Sequence, residues 1–464
     1  MEVTPIDIKD QVNQYYRKYA LYVLEARGIP NFYDGLTPVQ RLVLLNAPDA
    51  YSGTIGLIGN VIATGLYHHG DMSLAKSISK LARPFGCAES LLLGHGFFGS
   101  PAKPRPASAR YTKVKISPFA KQTINENFAL NKKNSEGGYE WIHTELPLGL
   151  VTHVIGIAVG YSSNILPRKA SDVKEYLAGK NKLLKPYFAG YKGGIKKHNG
   201  LPKAWLFEGE FTVDNAAMTM SIGDLPPMMR YDSFVTKMFS KIEEHGDSAK
   251  VENNSSDSVS INIKWRDRTT WEVLRDEISK MTKMVAIEGL VFIRSGTVVE
   301  YEELSDYLDE FKLHKERVVL GRLQYELTEF DHELAFLRAK VLFMKFMMEK
   351  KRKSDEVKMW MSDYDARIRV RLDAIKLTAL TQETLEEAED LIKEIIKKIA
   401  DQKKLITAQT TFCKITEKDF KGKGKVNVNK AVQVFETDIS ADLDGIDLFN
   451  PEEDEEEEII EEED

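Results

Sequence analysis

The chain has 464 residues, two cysteines and a formal net charge of -7, enough for roughly three units of about 150 residues and too little cysteine for a disulfide framework. The acidic balance is uneven: residues 436–464 hold 16 carboxylates and no Lys or Arg, and the 71 acidic residues less those 16 leave 55 against 64 basic ones. The body is therefore basic, which suits a polyanionic partner; with no signal-like opening and no apolar run near the ~18 residues of a membrane span, a soluble cytoplasmic protein is expected.

In chain order, Gln11 to Ala26 reads as a short amphipathic helix leading into Arg27-Gly28-Ile29-Pro30. Thr37-Pro38-Val39-Gln40 is a capping box with proline at the first helical position, and Pro48 stops the helix it opens. Leu57, Ile58, Val61 and Ile62 mark a second helix, and Ala75, Ile78, Ala82 and Phe85 a third, with Lys76, Lys80 and Arg83 together on its opposite face. Short helices on glycine turns, followed by β-prone residues from Ala109 to Ile116, predict a winged-helix type of helix-turn-helix. The basic stripe reads as a solvated face or a phosphate contact, and the nearby His68 and His69 favour the second. Lys103, Arg105, Arg110, Lys113, Lys115 and Lys121 continue the basic run.

Beyond Pro167 the texture changes. Met218, Met220 and Ile222, then Val259, Ile261, Ile263 and Trp265, alternate as strands do, so 168–300 reads as a separate α+β unit. Its aromatic and basic turn, Pro186 to Gly193, fits a core loop and a DNA-carrying surface equally. Leu320, Leu323, Leu327, Phe330, Leu334, Leu337, Val341, Met344 and Met348 keep a strict heptad alternation, and Leu385, Ala388, Ile392, Ile395, Ile399 and Ile406 repeat it. Two such stripes must fold back on each other to leave water, giving a long antiparallel coiled coil over 301–420. Met359 to Thr378 then forms its tip, either a plain helical hairpin or a dimer contact offering Met359, Trp360 and Met361. Residues 421–464 read as a disordered acidic tail, solubilising or DNA-mimicking.

Chemistry concentrates between His68 and Tyr111. Two histidines, Arg110 and Tyr111 are the groups a protein needs to attack a phosphate with a phenol oxygen: proton acceptors, a cation for the phosphate charge and the nucleophile. Taken singly each is weak, because the chain has 18 tyrosines and most tyrosines pack. No cysteine or carboxylate stands at zinc spacing, and no Gly-Lys-Ser/Thr follows Gly94-His95-Gly96, so neither a zinc site nor a nucleotide loop is visible.

The order of the fragments carries more. Arg27-Gly28-Ile29-Pro30, Asp34-Gly35-Leu36-Thr37-Pro38-Val39-Gln40-Arg41, Tyr67-His68-His69-Gly70-Asp71, Gly94 to Ser100, Ala109-Arg110-Tyr111-Thr112 and Gly156-Ile157-Ala158-Val159-Gly160 resemble the breakage-reunion region of type IIA DNA topoisomerases over about residues 20–170. Ile222 to Pro227 resembles the signature of the family's second, tower-type domain. With neither an ATPase domain nor an acidic metal-binding domain, the chain is most similar to the medium subunit of the phage enzymes, which divide the work among chains. The resemblance implies that Tyr111 opens a DNA strand and holds its 5′ phosphate, that Arg110 stabilises the phosphate charge, and that His69 with His68 orients or deprotonates the phenol. It implies that Arg27 holds the cleaved backbone, that Ile157 is an apolar wedge bending the duplex, and that Arg41, Lys76, Lys80, Arg83, Lys113 and Lys115 meet DNA. It further implies a homodimer through the stalk tip, two DNA duplexes as substrates, and a large partner subunit that binds ATP and Mg2+. Thr37 stands where many relatives carry lysine, and His68-His69 lacks the intervening proline of the bacterial form. The rival readings are a DNA-bending architectural protein without chemistry and an RNA-binding scaffold.

Overall fold

The computed structural model describes residues 15–419 and 425–426, apart from 17, 21, 25–27, 125–136, 181–182, 247, 350–351 and 377–379. Arg27, part of the Gln11–Ala26 segment, Thr378 and nearly all of the acidic tail thus lie outside the described residues.

Thr37 is extended, its N–H donates to the Gln40 side-chain oxygen at 3.0 Å, and Pro38 opens α1 (Pro38–Leu45) as the capping signal predicts. β1 (Ser52–Gly53), α2 (Thr54–Ala63) and α3 (Asp71–Ala82) follow. Leu57 and Val61 of α2 and Leu74, Ile78, Leu81 and Ala82 of α3 are buried. Leu74 and Leu81 therefore take the core places expected of Ala75 and Phe85. Arg83 is extended, the usual state of a residue before proline, so Phe85 lies past the helix and cannot share its seam.

β2 (Leu92–His95) and β3 (Lys113–Ile116) complete an antiparallel sheet in the order β1-β3-β2, with Ser52 opposite Val114 and Leu92 opposite Ile116. The long connection from 96 to 112 hangs between these two strands. α4 (Pro118–Thr123) begins where the Ser117 hydroxyl accepts from the Ala120 N–H. A hairpin of β4 (Val154–Ala158) and β5 (Tyr161–Ile165) precedes α5 (Ala170–Leu177).

The intermediate region holds β6 (Gly194–Lys197), β7 (Ala204–Glu208), β8 (Glu210–Asp214), β9 (Thr219–Asp224), α6 (Tyr231–Glu244), β10 (Ala249–Asn253), β11 (Ile261–Trp265), α7 (Arg268–Met281), β12 (Lys283–Ile287), β13 (Leu290–Arg294) and β14 (Thr297–Tyr301). The predicted alternation in β9 and β11 is present: Met220, Ile222, Ile261, Ile263 and Trp265 meet Phe234 and Met238 of α6 and Trp271 of α7 in one core. The Pro186–Gly193 turn is divided: Pro186 and Phe188 are buried and the Tyr191 hydroxyl donates to the Glu208 carbonyl at 2.7 Å, while Tyr187, Gly190 and Lys192 are exposed. Packing crosses both expected boundaries. Ala170, Val173 and Leu177, and then Leu290, Phe292, Val299, Tyr301, Leu304, Tyr307 and Phe311, join the core built by α1 to β5.

α8 (Leu304–Glu349) is a 46-residue helix. α9 (Ser354–Met361) and α10 (Ala366–Asp373) turn the chain at its far end, and α11 (Gln382–Asp419) returns antiparallel. Lys345 pairs with Glu389 near the tip, while Gln402 donates to the Leu323 carbonyl and Gln409 to Glu316 nearer the body. Leu337, Val341 and Met344 meet Leu385, Ala388, Ile395 and Ile399, as the heptads predict. Met348 is exposed: the first apolar residue of α11, Leu385, packs with Val341 and Met344, so Met348 overruns its partner. At the tip, Trp360 stacks on Phe346 at 5.3 Å and Met361 is buried, so of the three expected contact residues Met359 alone faces solvent, 74% exposed. β15 (Lys425–Val426) then pairs with β14, which brings the chain back beside the body. Among the described residues no helix is long and apolar enough to cross a membrane.

Candidate active site

Tyr111 stands on a single 3-10 turn, Ala109–Tyr111, closed by its own N–H donating to the Ser108 carbonyl at 2.9 Å. The turn is bolted to the start of α2: the Thr54 N–H donates to the Thr112 carbonyl at 3.0 Å, and the Thr54 and Thr112 hydroxyls lie 2.8 Å apart in a buried pair. Anchored backbone and free side chain are thus separated at one residue, for the Tyr111 ring is 74% exposed, with Arg110 exposed beside it. Gly96 explains part of the glycine-rich segment before it. It is left-handed at φ +102, and a Cβ there would come within 3.3 Å of the Tyr111 carbonyl, so the segment runs against the turn.

His68 and His69 lie on the short connection from α2 to α3. The Tyr67 hydroxyl donates to the Gly70 carbonyl at 3.0 Å, and the His69 ring meets the Tyr67 ring edge-on at 5.5 Å. The histidines therefore follow the C-terminal end of α2 while the tyrosine turn docks at its N-terminal end.

The predicted cations divide. Lys76, Lys80 and Lys113 are exposed, and Lys115 lies over the Tyr51 ring at 4.6 Å. Loss of water around its stem, followed by repulsion from Arg83 and Lys76, holds the Lys80 ammonium below the usual lysine value. Arg83 leaves the helical stripe and covers Phe85 at 5.1 Å.

Arg41 is a correction. Its Nε and Nη2 grip the Asp34 carboxylate at 2.6 and 3.0 Å, Nη2 also donates to the Leu36 carbonyl at 3.0 Å, and both side chains are buried. A guanidinium committed to a buried carboxylate is not presented to DNA. Asp34, to which the sequence motifs give no role, also accepts from the Leu36 N–H at 2.9 Å and the Ile142 N–H at 3.0 Å. The available signal was an acid and a base seven residues apart across a capping box.

Gly28, the neighbour of Arg27, backs onto β4: a Cβ on Gly28 would lie 2.6 Å from the Ile157 carbonyl, and one on Gly156 would fall on the Gly28 carbonyl oxygen. On the opposite, outward side of β4, Ile157 is 77% exposed and Ile155 is 60% exposed. An unpredicted cleft of about 1140 Å³ lies between residues 96–105 and the second region, with Lys103, Arg105, Lys192 and Arg230 among its lining residues. The Ser100 hydroxyl, donating to the Ser256 carbonyl at 2.6 Å, ties its two walls together. Among the described residues no group of three or more His, Cys, Asp or Glu side chains converges as a metal site would.

The chain matches a family model describing the A subunit of DNA gyrase/topoisomerase IV, over residues 27–421. It is 26% identical to the DNA gyrase A subunit of Escherichia coli over 369 residues, which is 71% of this chain and 42% of that protein. It is likewise 26% identical to the DNA topoisomerase medium subunit of Enterobacteria phage T4 over 379 residues, 74% of this chain and 82% of that one. The chain thus spans about two-fifths of the gyrase protein it matches and most of the phage one. In structure it is similar to the Plasmodium falciparum topoisomerase II DNA-binding, cleavage and re-ligation domain, with a TM-score of 0.71 at 20% identity, covering 87% of this chain and 63% of that one. This likeness shows a shared mixed α+β fold.

Proposed function

Because this chain belongs to the family of DNA gyrase/topoisomerase IV A subunits, we propose that it is the DNA cleavage and religation subunit of an ATP-dependent type II topoisomerase. The observation that carries the reading is Tyr111, a largely exposed phenol on a turn anchored by the Thr54–Thr112 bonds, directly after an exposed arginine. The phenol oxygen attacks a backbone phosphorus, an O–P bond forms to the 5′ phosphate, and the bond to the 3′ oxygen breaks, that oxygen leaving as a hydroxyl. The reverse step reseals the strand, because one ester has been exchanged for another of similar energy. Arg110 stabilises the charge on the phosphate, and His69 with His68 receives or orients the phenolic proton. Histidines and tyrosine attached to opposite ends of α2 support a site assembled between two copies, each giving one Tyr111, so that both strands of a duplex open and a second duplex passes.

The finer assignments belong to the same proposal. α1 to β3 form a winged-helix unit within residues 1–167, with Lys76, Lys80, Lys113 and Lys115 on phosphates, Arg27 on the cleaved backbone and Ile157 as the wedge. Residues 168–300 form the tower-like domain, 301–420 the coiled-coil stalk and 421–464 the tail. Exposed Met359 and Val370 at the tip support a contact between two copies. ATP and Mg2+ are used by the complex, bound on a large partner subunit, in the cytoplasm. An exposed Ile157 alone also fits an architectural protein that bends DNA without cutting it.

Trapping separates the two. Denaturing the full chain on duplex DNA with Mg2+ and its partner subunit is expected to leave DNA covalently attached, and Tyr111→Phe to abolish that adduct while DNA binding persists. Adducts that survive the substitution would remove Tyr111 from its role; no adduct with the unaltered chain favours the architectural reading.

A further inference from the structure

Two outward isoleucines, not one, stand on β4. Its burial alternates, with Val154 and Gly156 inward and Ile155 and Ile157 outward. Their cross-strand neighbours on β5 are small and polar, Asn164 opposite Ile155 and Ser162 opposite Ile157. The pair forms an aliphatic ridge, since neither residue is shielded by a large neighbour across the strand. Aliphatics exposed side by side make a contiguous apolar patch of the kind that marks an interaction surface.

The ridge is held still from behind and from the side. Gly156, between the two isoleucines, meets the Gly28 carbonyl so closely that no Cβ would fit. Asn164 is fixed by its amide nitrogen donating to the Ile287 carbonyl at 2.8 Å, by His153 at 2.9 Å from its amide oxygen, and by reciprocal backbone bonds with Gly289 at 3.0 Å. Ile287, whose carbonyl takes part in that anchoring, is itself exposed.

Alternate residues of a strand lie about 6.8 Å apart, and base pairs rise about 3.4 Å each. The ridge therefore has the spacing of two base-pair steps. Resting on the reading of this chain as a DNA-cleaving subunit, we infer that Ile155 is a second wedge, pressing on the duplex two base pairs from the step opened by Ile157. Two wedges spread the bend over adjacent steps and make it depend on the deformability of both, so Ile155 contributes to the choice of cleavage sequence.

The test uses the full chain with its partner subunit, without divalent metal so that the duplex stays whole, on duplexes carrying 2-aminopurine at successive positions. Unstacking raises its fluorescence. The expected wild-type profile has, in each half of the two-fold site, two maxima two base pairs apart. Ile155→Ser is expected to lose one maximum and Ile157→Ser the other; both positions are exposed, so neither substitution threatens the fold. A single maximum in the wild type, or a profile that Ile155→Ser leaves unchanged, overturns the inference. So does an Ile155→Ser chain that keeps both maxima but loses affinity for the partner subunit, since Ile155 is then a protein contact. Adding Mg2+ and trapping adducts on the same duplexes reads the parent proposal separately: adducts without a second maximum sink this inference alone, and two maxima without adducts sink the parent reading while Ile155 still presses on the duplex.

Discussion

Replacing Arg41 by methionine tests whether a motif arginine holds the fold or holds DNA. The side chain is 4% exposed and its Asp34 partner 0%, with paired contacts of 2.6 and 3.0 Å. Removing one partner of a buried pair leaves an uncompensated charge and costs about 3–5 kcal/mol. Methionine keeps the volume, so the cost is electrostatic. Two further amides, of Leu36 and Ile142, stay bonded to the stranded carboxylate and offset part of it. Hydrogen exchange at those two amides should accelerate by roughly two to three orders of magnitude, since each 1.4 kcal/mol is about tenfold. The slope of log affinity for duplex DNA against log salt should stay as in the wild type. Lys113→Met is the counterpart: exchange unchanged, and a slope shallower by about 0.9, the loss of one phosphate contact. The reasoning fails if Arg41→Met exchanges normally and flattens the salt slope.

Gly321 lies within α8, and nothing stands within 4 Å of the Cβ that alanine would add. Gly321→Ala should therefore stabilise the stalk against urea by roughly 0.8–1.0 kcal/mol with cleavage unaltered. His314, packed against Tyr33 at 4.2 Å, has its imidazolium form disfavoured by burial, then by His143, Arg294 and Arg317, which lowers its pKa to about 3. Below the unfolded value of about 6.5 the unfolded chain takes a proton that the folded one refuses, so stability falls as pH drops from about 6.5 towards 3, by up to about 1.4 kcal/mol per unit. His314→Phe should flatten that limb of the stability-against-pH curve, and superimposable curves would show that His314 does not titrate as described.

Local and periodic signals were legible. The Thr37–Gln40 capping box and the heptads of α8 and α11 depend on neighbours three or four residues away, which a sequence displays directly. What failed depended on packing that spacing alone does not display. Arg41 looked like a phosphate ligand although Asp34 stands only seven residues before it, because nothing local shows that both side chains are buried and that the carboxylate also accepts from Ile142, 108 residues from Asp34. Phe85 matched helical spacing, but Pro84 had already ended the helix at Arg83. Gln402 was passed over because an apolar template skips polar residues; it is buried in the seam and donates to the Leu323 carbonyl and to Glu326, which fixes the register of the pair. Of the site, Tyr111, Arg110 and Ile157 were named from motif order, and their exposure agrees with a role outside the core. Ile155 was missed because the motif order singles out Ile157 alone, and only the strand Val154–Ala158 shows that the two share one uncovered face.

The motifs divide into a platform and what stands on it. A Cβ on Gly149 would fall on the Gly35 carbonyl oxygen, as one on Gly156 would on that of Gly28, so backbone touches backbone at two places where early and late motifs meet. Asp34 adds a buried carboxylate that ties α1 to Ile142. These contacts carry no reacting group, yet they fix the strand that presents Ile155 and Ile157. In the proposed reaction, cleavage that must be reversed would place a stricter demand on such a frame than hydrolysis does, because the 3′ oxygen would have to find the same phosphorus again while the phenol is still attached. Holding the backbone of Tyr111 through Thr54 and Thr112 meets that demand without covering the ring. A substitution in the platform should then slow resealing more than binding, and the balance between cut and intact DNA is the quantity in which platform and chemistry come apart.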